Sequence, residues 1–305
     1  MRVGFALANI GPIGTMDNLI RIAQRAEALA YDSLWAVERL LWPVKPQSAY
    51  PATPDGSLPE EYKHVLDPLE ALTFVAAHTK NIALGTSVLD MPYYNPVMLA
   101  RRVSTLDVLS GGRVRLGLGL GWSKDEHDAI GAEMKHRGAR ADEFLQVLKA
   151  IWTTDPASFQ GRFYTLPMSH IYPKPVQKPH PPIYLAAFVP AALERIAKHG
   201  DGWNPAAIPV AGMERMFDDI KQMAKSAGRD PAKLALIVRA NVEITEAPRP
   251  KDGAIFTGTM EQIREDVEGC QRIGAQEIHF DPTFMRGAQE ISLWLTLMEQ
   301  LRKLV

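Results

Sequence analysis

Cysteine is almost absent from this 305-residue chain, and with Cys270 standing alone no internal disulfide can form. That usage fits a reducing, cytoplasmic setting. Neither sign of charge prevails: 34 Lys and Arg face 35 Asp and Glu, for a formal net charge of -1, with no long run of one sign. Such a balance argues against nucleic acid or an anionic membrane surface as the partner. No apolar stretch approaches the roughly 20 residues needed to span a bilayer, and Asn9 and Gly11 interrupt the apolar start that a secretory signal would need. The eight histidines (64, 78, 127, 136, 170, 180, 199 and 279) are scattered, without HxH or HExxH, so no metal site is expected. A GxSxG elbow is missing as well, which removes the commonest hydrolase nucleophile. The expectation is a soluble globular protein, and 46% hydrophobic residues suffice for a large core.

What the chain does have is alternation. Short apolar runs at 2–8, 33–38, 81–88, 113–119, 182–187, 201–204, 234–243 and 276–281 predict strands. Amphipathic stretches at 17–30, 67–79, 95–109, 139–153, 190–199, 212–227, 259–273 and 287–304 predict helices. Asp67-Pro68 and Asn95-Pro96 each pair a capping side chain with a first-turn proline, and Gly258-Thr259 precedes Glu261-Gln262 as in a capping box. Gly228 and Gly274 fall where helices end. Eight strands alternating with eight helices is the pattern of a (β/α)8 TIM barrel, an α/β fold of about 250 residues. The surplus length falls into insertions after strand 2 and before strand 5, and the whole, 1–305, reads as one barrel domain. A doubly wound open sheet would show the same alternation, because alternation does not report closure.

Ligands of parallel α/β folds bind at the carboxyl ends of the strands, so chemistry is sought there. The segment 82–126 ends one strand in Ser87-Val88-Leu89-Asp90 and the next in Leu120-Gly121-Trp122. GLGLGW is a poor nicotinamide fingerprint, since Trp122 falls near the place of the third glycine; its glycines make room for an interior layer or for a flat ligand. Glu38-Arg39 ends the second strand, as a general acid with its electrostatic partner or as a rim ion pair. The run 186–190, AAFVP, leads into a helix whose free N–H groups suit a phosphate, although a plain connector would look alike. Asp125-Glu126-His127-Asp128 reads as a solvated helix start, since adjacent helical residues point in different directions. The proline- and aromatic-rich stretch 40–65 follows a strand and reads as a lid or binding loop. The proline-rich stretch 159–182 precedes a strand, so it belongs to the opposite face and reads as structural.

These segments together resemble the luciferase-like monooxygenase superfamily, in its branch of oxidoreductases that depend on the deazaflavin coenzyme F420. The resemblance runs nearly end to end and is carried by AQRAEALAYDSLWAVE, by GTSVLDMPYYNPVMLARRVSTLDVLSGGRVRLGLGLGW, by YPKPVQKPHPPIYLAA and by HGDGWNP. It implies a closed barrel with F420 across its carboxyl-end face, hydride transfer at the deazaflavin C5, an unidentified small organic substrate, and a homodimer. Position by position it implies that Glu38 stands beside the ring and that Ser87-Val88 forms a non-prolyl cis peptide behind it. Asp90, Leu120, Gly121, Trp122 and Asp125 would line the cofactor, and Ala187, Phe188 and Val189 would hold its phosphate by their backbone. Three positions depart from the family. Arg39 replaces a histidine and cannot donate a proton at ordinary pH. Trp122 replaces the catalytic glutamate of sugar-phosphate dehydrogenases, and Phe188-Val189 replaces smaller residues. Glu38, Arg39 and Trp122 are thus the catalytic candidates. The alternatives are a monooxygenase using flavin mononucleotide (FMN), and a flavin- or deazaflavin-binding protein without turnover.

Overall fold

Eight strands, each carried by a run of buried apolar residues, close on themselves. They are β1 (Arg2–Ala6), β2 (Ser33–Ala36), β3 (Ala83–Thr86), β4 (Val114–Gly119), β5 (Ile183–Leu185), β6 (Gly202–Trp203), β7 (Ala235–Asn241) and β8 (Glu277–Asp281). All neighbours pair in parallel: β1 lies between β8 and β2, and β3 pairs with β4 through Leu84 with Val114 and Gly85 with Arg115. The computed structural model describes residues 1–53 and 55–305, and Pro54, within the expected lid, lies outside them. The fold is a (β/α)8 TIM barrel.

Long helices cover the barrel: α1 (Met16–Ala28), α2 (Pro68–Ala76), α3 (Pro96–Ser110), α5 (Arg137–Thr153), α6 (Pro190–His199), α7 (Val210–Ser226), α8 (Met260–Arg272) and α9 (Ile291–Leu301). Between α3 and α5 lies a short helix, α4 (Lys124–Ala129), that the apolar periodicity does not show. Its six residues are mostly charged, so no hydrophobic stripe betrays it. The caps are where the sequence puts them. Asn95 Oδ1 accepts from the Val97 N–H at 2.9 Å, Asp67 Oδ1 from Leu69 at 2.9 Å, and Thr259 with Gln262 completes a capping box. The insertion before β5 is a hairpin of Ala157–Gln160 with Thr165–Ser169, whose turn is tied to α5 by three N–H groups donating to Glu143.

Inside the barrel the floor is polar; its carboxylate is satisfied, whereas both ring nitrogens of the buried His279 find no partner among the described residues. Glu277 is fully buried and takes hydrogen bonds from Ser33 Oγ and the Trp35 indole and ion pairs from Arg115 and Arg2. Above it Trp35 stacks on His279, with ring centroids 4.6 Å apart. Gly117 answers one half of the glycine question. A Cβ there would run into the Thr86 carbonyl, while Thr86 Oγ1 accepts from the Gly117 N–H and donates to its carbonyl at 2.9 and 2.8 Å. That glycine lets β3 and β4 approach; it serves packing.

Candidate active site

The carboxyl ends of β2 to β7 surround a cavity of about 370 Å³ at the barrel mouth. Residues 37–39, 87, 88, 90, 119–122 and 186–189 all contribute to its wall, and the 40–65 loop closes over it with Tyr50, Pro51, Ala52 and Tyr62. Three contacts anchor this loop. Tyr62 is buried with Ile10 and Val37, Trp42 donates its indole N–H to the Pro59 carbonyl at 3.2 Å, and residue 65 bridges to Ile10.

Glu38 points into the wall with both oxygens occupied. Oε2 accepts from the Asp90 N–H at 2.7 Å and Oε1 from the Tyr94 hydroxyl. Burial, and then the negative charge of Asp90, push its carboxyl up to about 8, so near neutral pH it holds a proton. Asp90 is itself lifted to about 6 by burial, against the 2.8 Å hydrogen bond its Oδ1 takes from the Gly121 N–H. Gly121 has φ +66°, and a Cβ there would press on Tyr93 and His127 at 3.1 Å, so the turn into Trp122 needs glycine.

Arg39 does not pair with its neighbour Glu38. Its Nε donates to Glu126 Oε1 at 2.7 Å, and a terminal nitrogen pairs with Oε2. The same carboxylate accepts from the Leu40 N–H at 2.7 Å, the Leu41 N–H at 3.3 Å and the Tyr93 hydroxyl at 2.7 Å. The two side chains are 5% and 0% exposed, so the pair is buried and not on the rim. Above it the guanidinium lies 4.9 Å from the Trp122 ring centre and 5.5 Å from that of Tyr62. The expectation of a solvated helix start at 125–128 is therefore wrong for two of its residues. Glu126 and His127 are fully buried, because α4 turns that face under the mouth, and burial pushes the His127 imidazole below its usual range.

Ser87 and Val88 are joined by a cis peptide bond, the position the resemblance implied. Ser87 Oγ donates to Asn204 Oδ1 at 2.8 Å, and Val88 lines the cavity. A Cβ on Gly119 would meet the Val88 and Asp90 side chains at 2.7 and 2.6 Å, so this glycine of the cavity wall makes room for those two side chains. Ala187 is held by its carbonyl, which accepts from the Trp203 indole at 3.0 Å. Phe188 and Val189 turn their side chains to the surface, at 59% and 58% exposure, and α6 starts without a side-chain cap. The larger side chains therefore leave the backbone of this turn clear.

Of the residues singled out from the sequence, Asp125 alone stays out of the cavity. Its carboxylate instead accepts from the Gln47 N–H at 2.9 Å and so fastens the 40–65 loop. Three polar lining residues were not picked out, Asn204, Arg137 and Arg239, nor were Ala192 and Ala206. Arg239 carried a signal, being a single charge inside the apolar strand ALIVRAN.

Residues 3–249 match the family model described as luciferase-like monooxygenase. The chain belongs to that family. A Mycobacterium tuberculosis protein is 36% identical over 223 residues, covering 71% of this chain and 78% of its own length. The F420-dependent glucose-6-phosphate dehydrogenase of Amycolatopsis mediterranei is 31% identical over 248 residues, 80% of this chain and 68% of that enzyme. Among solved structures, an F420-dependent secondary alcohol dehydrogenase with an F420–acetone adduct superposes with a TM-score of 0.80 at 16% identity, over 100% of this chain and 98% of that one; it shares the fold. The family includes FMN-dependent members too, such as a dimethylsulfone monooxygenase of Pseudomonas putida, 34% identical over half of this chain and 42% of that enzyme.

Two outcomes follow from this geometry. Glu126→Ala strands the buried Arg39 charge and should cost about 3–5 kcal/mol in urea denaturation, whereas Arg39→Met with Glu126→Met should recover most of it. A loss under about 1 kcal/mol for the single variant would show that the pair is not a structural tie. The second concerns Glu38, whose folded-state pKa lies above its ordinary 4.5. The fold then keeps a proton that the unfolded chain releases, so stability falls as pH rises from about 4.5 towards 8. Glu38→Gln should melt with the wild type near about pH 4 and above it near about pH 9; parallel melting curves throughout would contradict the shift.

Proposed function

We propose that this chain is an F420-dependent oxidoreductase that moves a hydride between the deazaflavin C5 and a small organic substrate. The observation that carries the reading is the cleft at the barrel mouth, where Glu38, Val88, Gly119 and the 120–122 turn line one cavity. A flat ring system suits this space, and the bare backbone turn at 187–189 suits a phosphate. When bound, F420 supplies the two-electron chemistry at C5. The protein's share is the rest. Ser87, Val88, Leu120, Gly121 and Trp122 position the ring, with Asp90 behind them. Ala187, Phe188 and Val189 bind the phosphate through backbone N–H groups. Glu38 holds or exchanges a proton at the ring edge, and Arg39, immobilised by Glu126, acts through its charge. Tyr50 and Tyr62 of the covering loop exclude water.

The deazaflavin is preferred to FMN because the F420-dependent relative matches 80% of this chain and the FMN-dependent one half of it. We take the chain to be one catalytic domain and expect a cytoplasmic homodimer, by the same resemblance. Fluorescence titration of the purified apoprotein with each cofactor tests the assignment. F420 should bind more tightly; tighter binding of FMN would replace the reading by a flavin monooxygenase, and binding of F420 without turnover of any acceptor by a carrier.

A further inference from the structure

Arg239 stands at the carboxyl end of β7 with its side chain directed into the barrel mouth, where it lines the cavity. Its side chain is 14% exposed and is clamped in place. Nε and one terminal nitrogen donate to Asp281 Oδ2 at 3.0 and 2.6 Å, and the other terminal nitrogen donates to the Ser87 carbonyl at 3.1 Å. A guanidinium has five N–H groups in a rigid fork. Three are accounted for, so two find no protein acceptor among the described residues. Both can reach the cavity, where a ligand oxygen would supply the acceptor.

The same wall carries a second set of donors. The hydroxyls of Tyr50 and Tyr62 lie 3.2 Å apart, and both residues line the cavity. One phenol proton is spent between them; the other has no protein acceptor among the described residues. Two arginine N–H groups and one phenol O–H thus share this side of the cavity. The charge balance narrows what they suit. Asp281, 1% exposed, already neutralises Arg239, so a permanent anion would meet a neutral pair, whereas an oxygen that gains charge only during reaction is stabilised as the charge appears.

We propose that Arg239 and the Tyr50–Tyr62 pair form the contact for the substrate's carbonyl oxygen, so that the substrates are ketones or enones, or the matching alcohols in the reverse direction. This rests on the hydride chemistry proposed above. When a reduced hydride carrier gives its hydride to the substrate, a C–H bond forms and the C=O π pair moves onto oxygen, directly or through the conjugated C=C of an enone. That oxygen then takes a proton from the tyrosine pair, which water restores, and the carrier leaves oxidised.

The test needs no turnover. 4-Nitrophenol, whose phenolate mimics the charged oxygen, is titrated against apoprotein and against F420-loaded protein, with nitrobenzene as the probe that lacks that oxygen. The wild type should bind the phenolate more tightly than nitrobenzene and hold it ionised at lower pH than in water, read from its absorption. Arg239→Met with Asp281→Asn, which leaves no buried charge unpaired, should weaken phenolate binding about ten- to hundredfold and leave nitrobenzene unchanged. Tyr62→Phe should weaken it less, and it covers the case in which the double variant does not fold. Unchanged phenolate binding in folded variants overturns the proposal. So does competitive displacement of the phenolate by F420, which would turn these donors towards the cofactor. A wrong cofactor reading shows elsewhere, as absent F420 binding by the wild type.

Discussion

The Arg39–Glu126 pair is the constraint on which the barrel mouth depends. Taking both charges out of water costs several kcal/mol per ion, and their attraction offsets this only when the remaining lone pairs and protons are satisfied. Here they are. Glu126 collects two bonds from Arg39, two backbone N–H groups from the residues after β2, and the Tyr93 hydroxyl from the segment after β3. Glu126 itself sits on α4, which follows β4. One carboxylate therefore joins the excursions after three successive strands. Fixing them fixes Trp122 and Tyr62 on the guanidinium faces and fixes where the 40–65 loop can lie.

That constraint also sorts the chemistry. A guanidinium so engaged neither swings nor gives up a proton, which leaves proton handling to groups whose environments favour it. Glu38 is one, since burial and Asp90 keep its carboxyl protonated near neutral pH on the cavity wall. The tyrosine pair of the 40–65 loop is the group proposed for the other, and both line the same cavity.

Much of this was legible in the sequence. Strands and helices announced themselves because apolar period and caps agree, as at Asn95-Pro96 and at the Thr259 capping box. Closure of the barrel was not legible from alternation, since it depends on β3 meeting β4. The lining residues at strand ends were largely found, because in this fold position along the chain gives position in space. Glu126 and His127 were misjudged for a physical reason: a short charged helix looks solvated unless one knows what packs over it. Asp125 was misplaced by one residue of helical rotation, which points its carboxylate at Gln47 and away from the cavity. Arg239 needed three-dimensional information, because Asp281 and Ser87, its partners, come from β8 and from the turn after β3.

The central claim is that the cleft between Val88 and the 120–122 turn holds a deazaflavin ring with Glu38 at its edge. A crystal structure of the protein soaked with F420 tests it most directly. The account predicts ring density against Val88, the phosphate on the backbone of 187–189, and Arg39 still bonded to Glu126. Density for the ring elsewhere on the barrel, or an Arg39 released from Glu126 to meet the ligand, would contradict it.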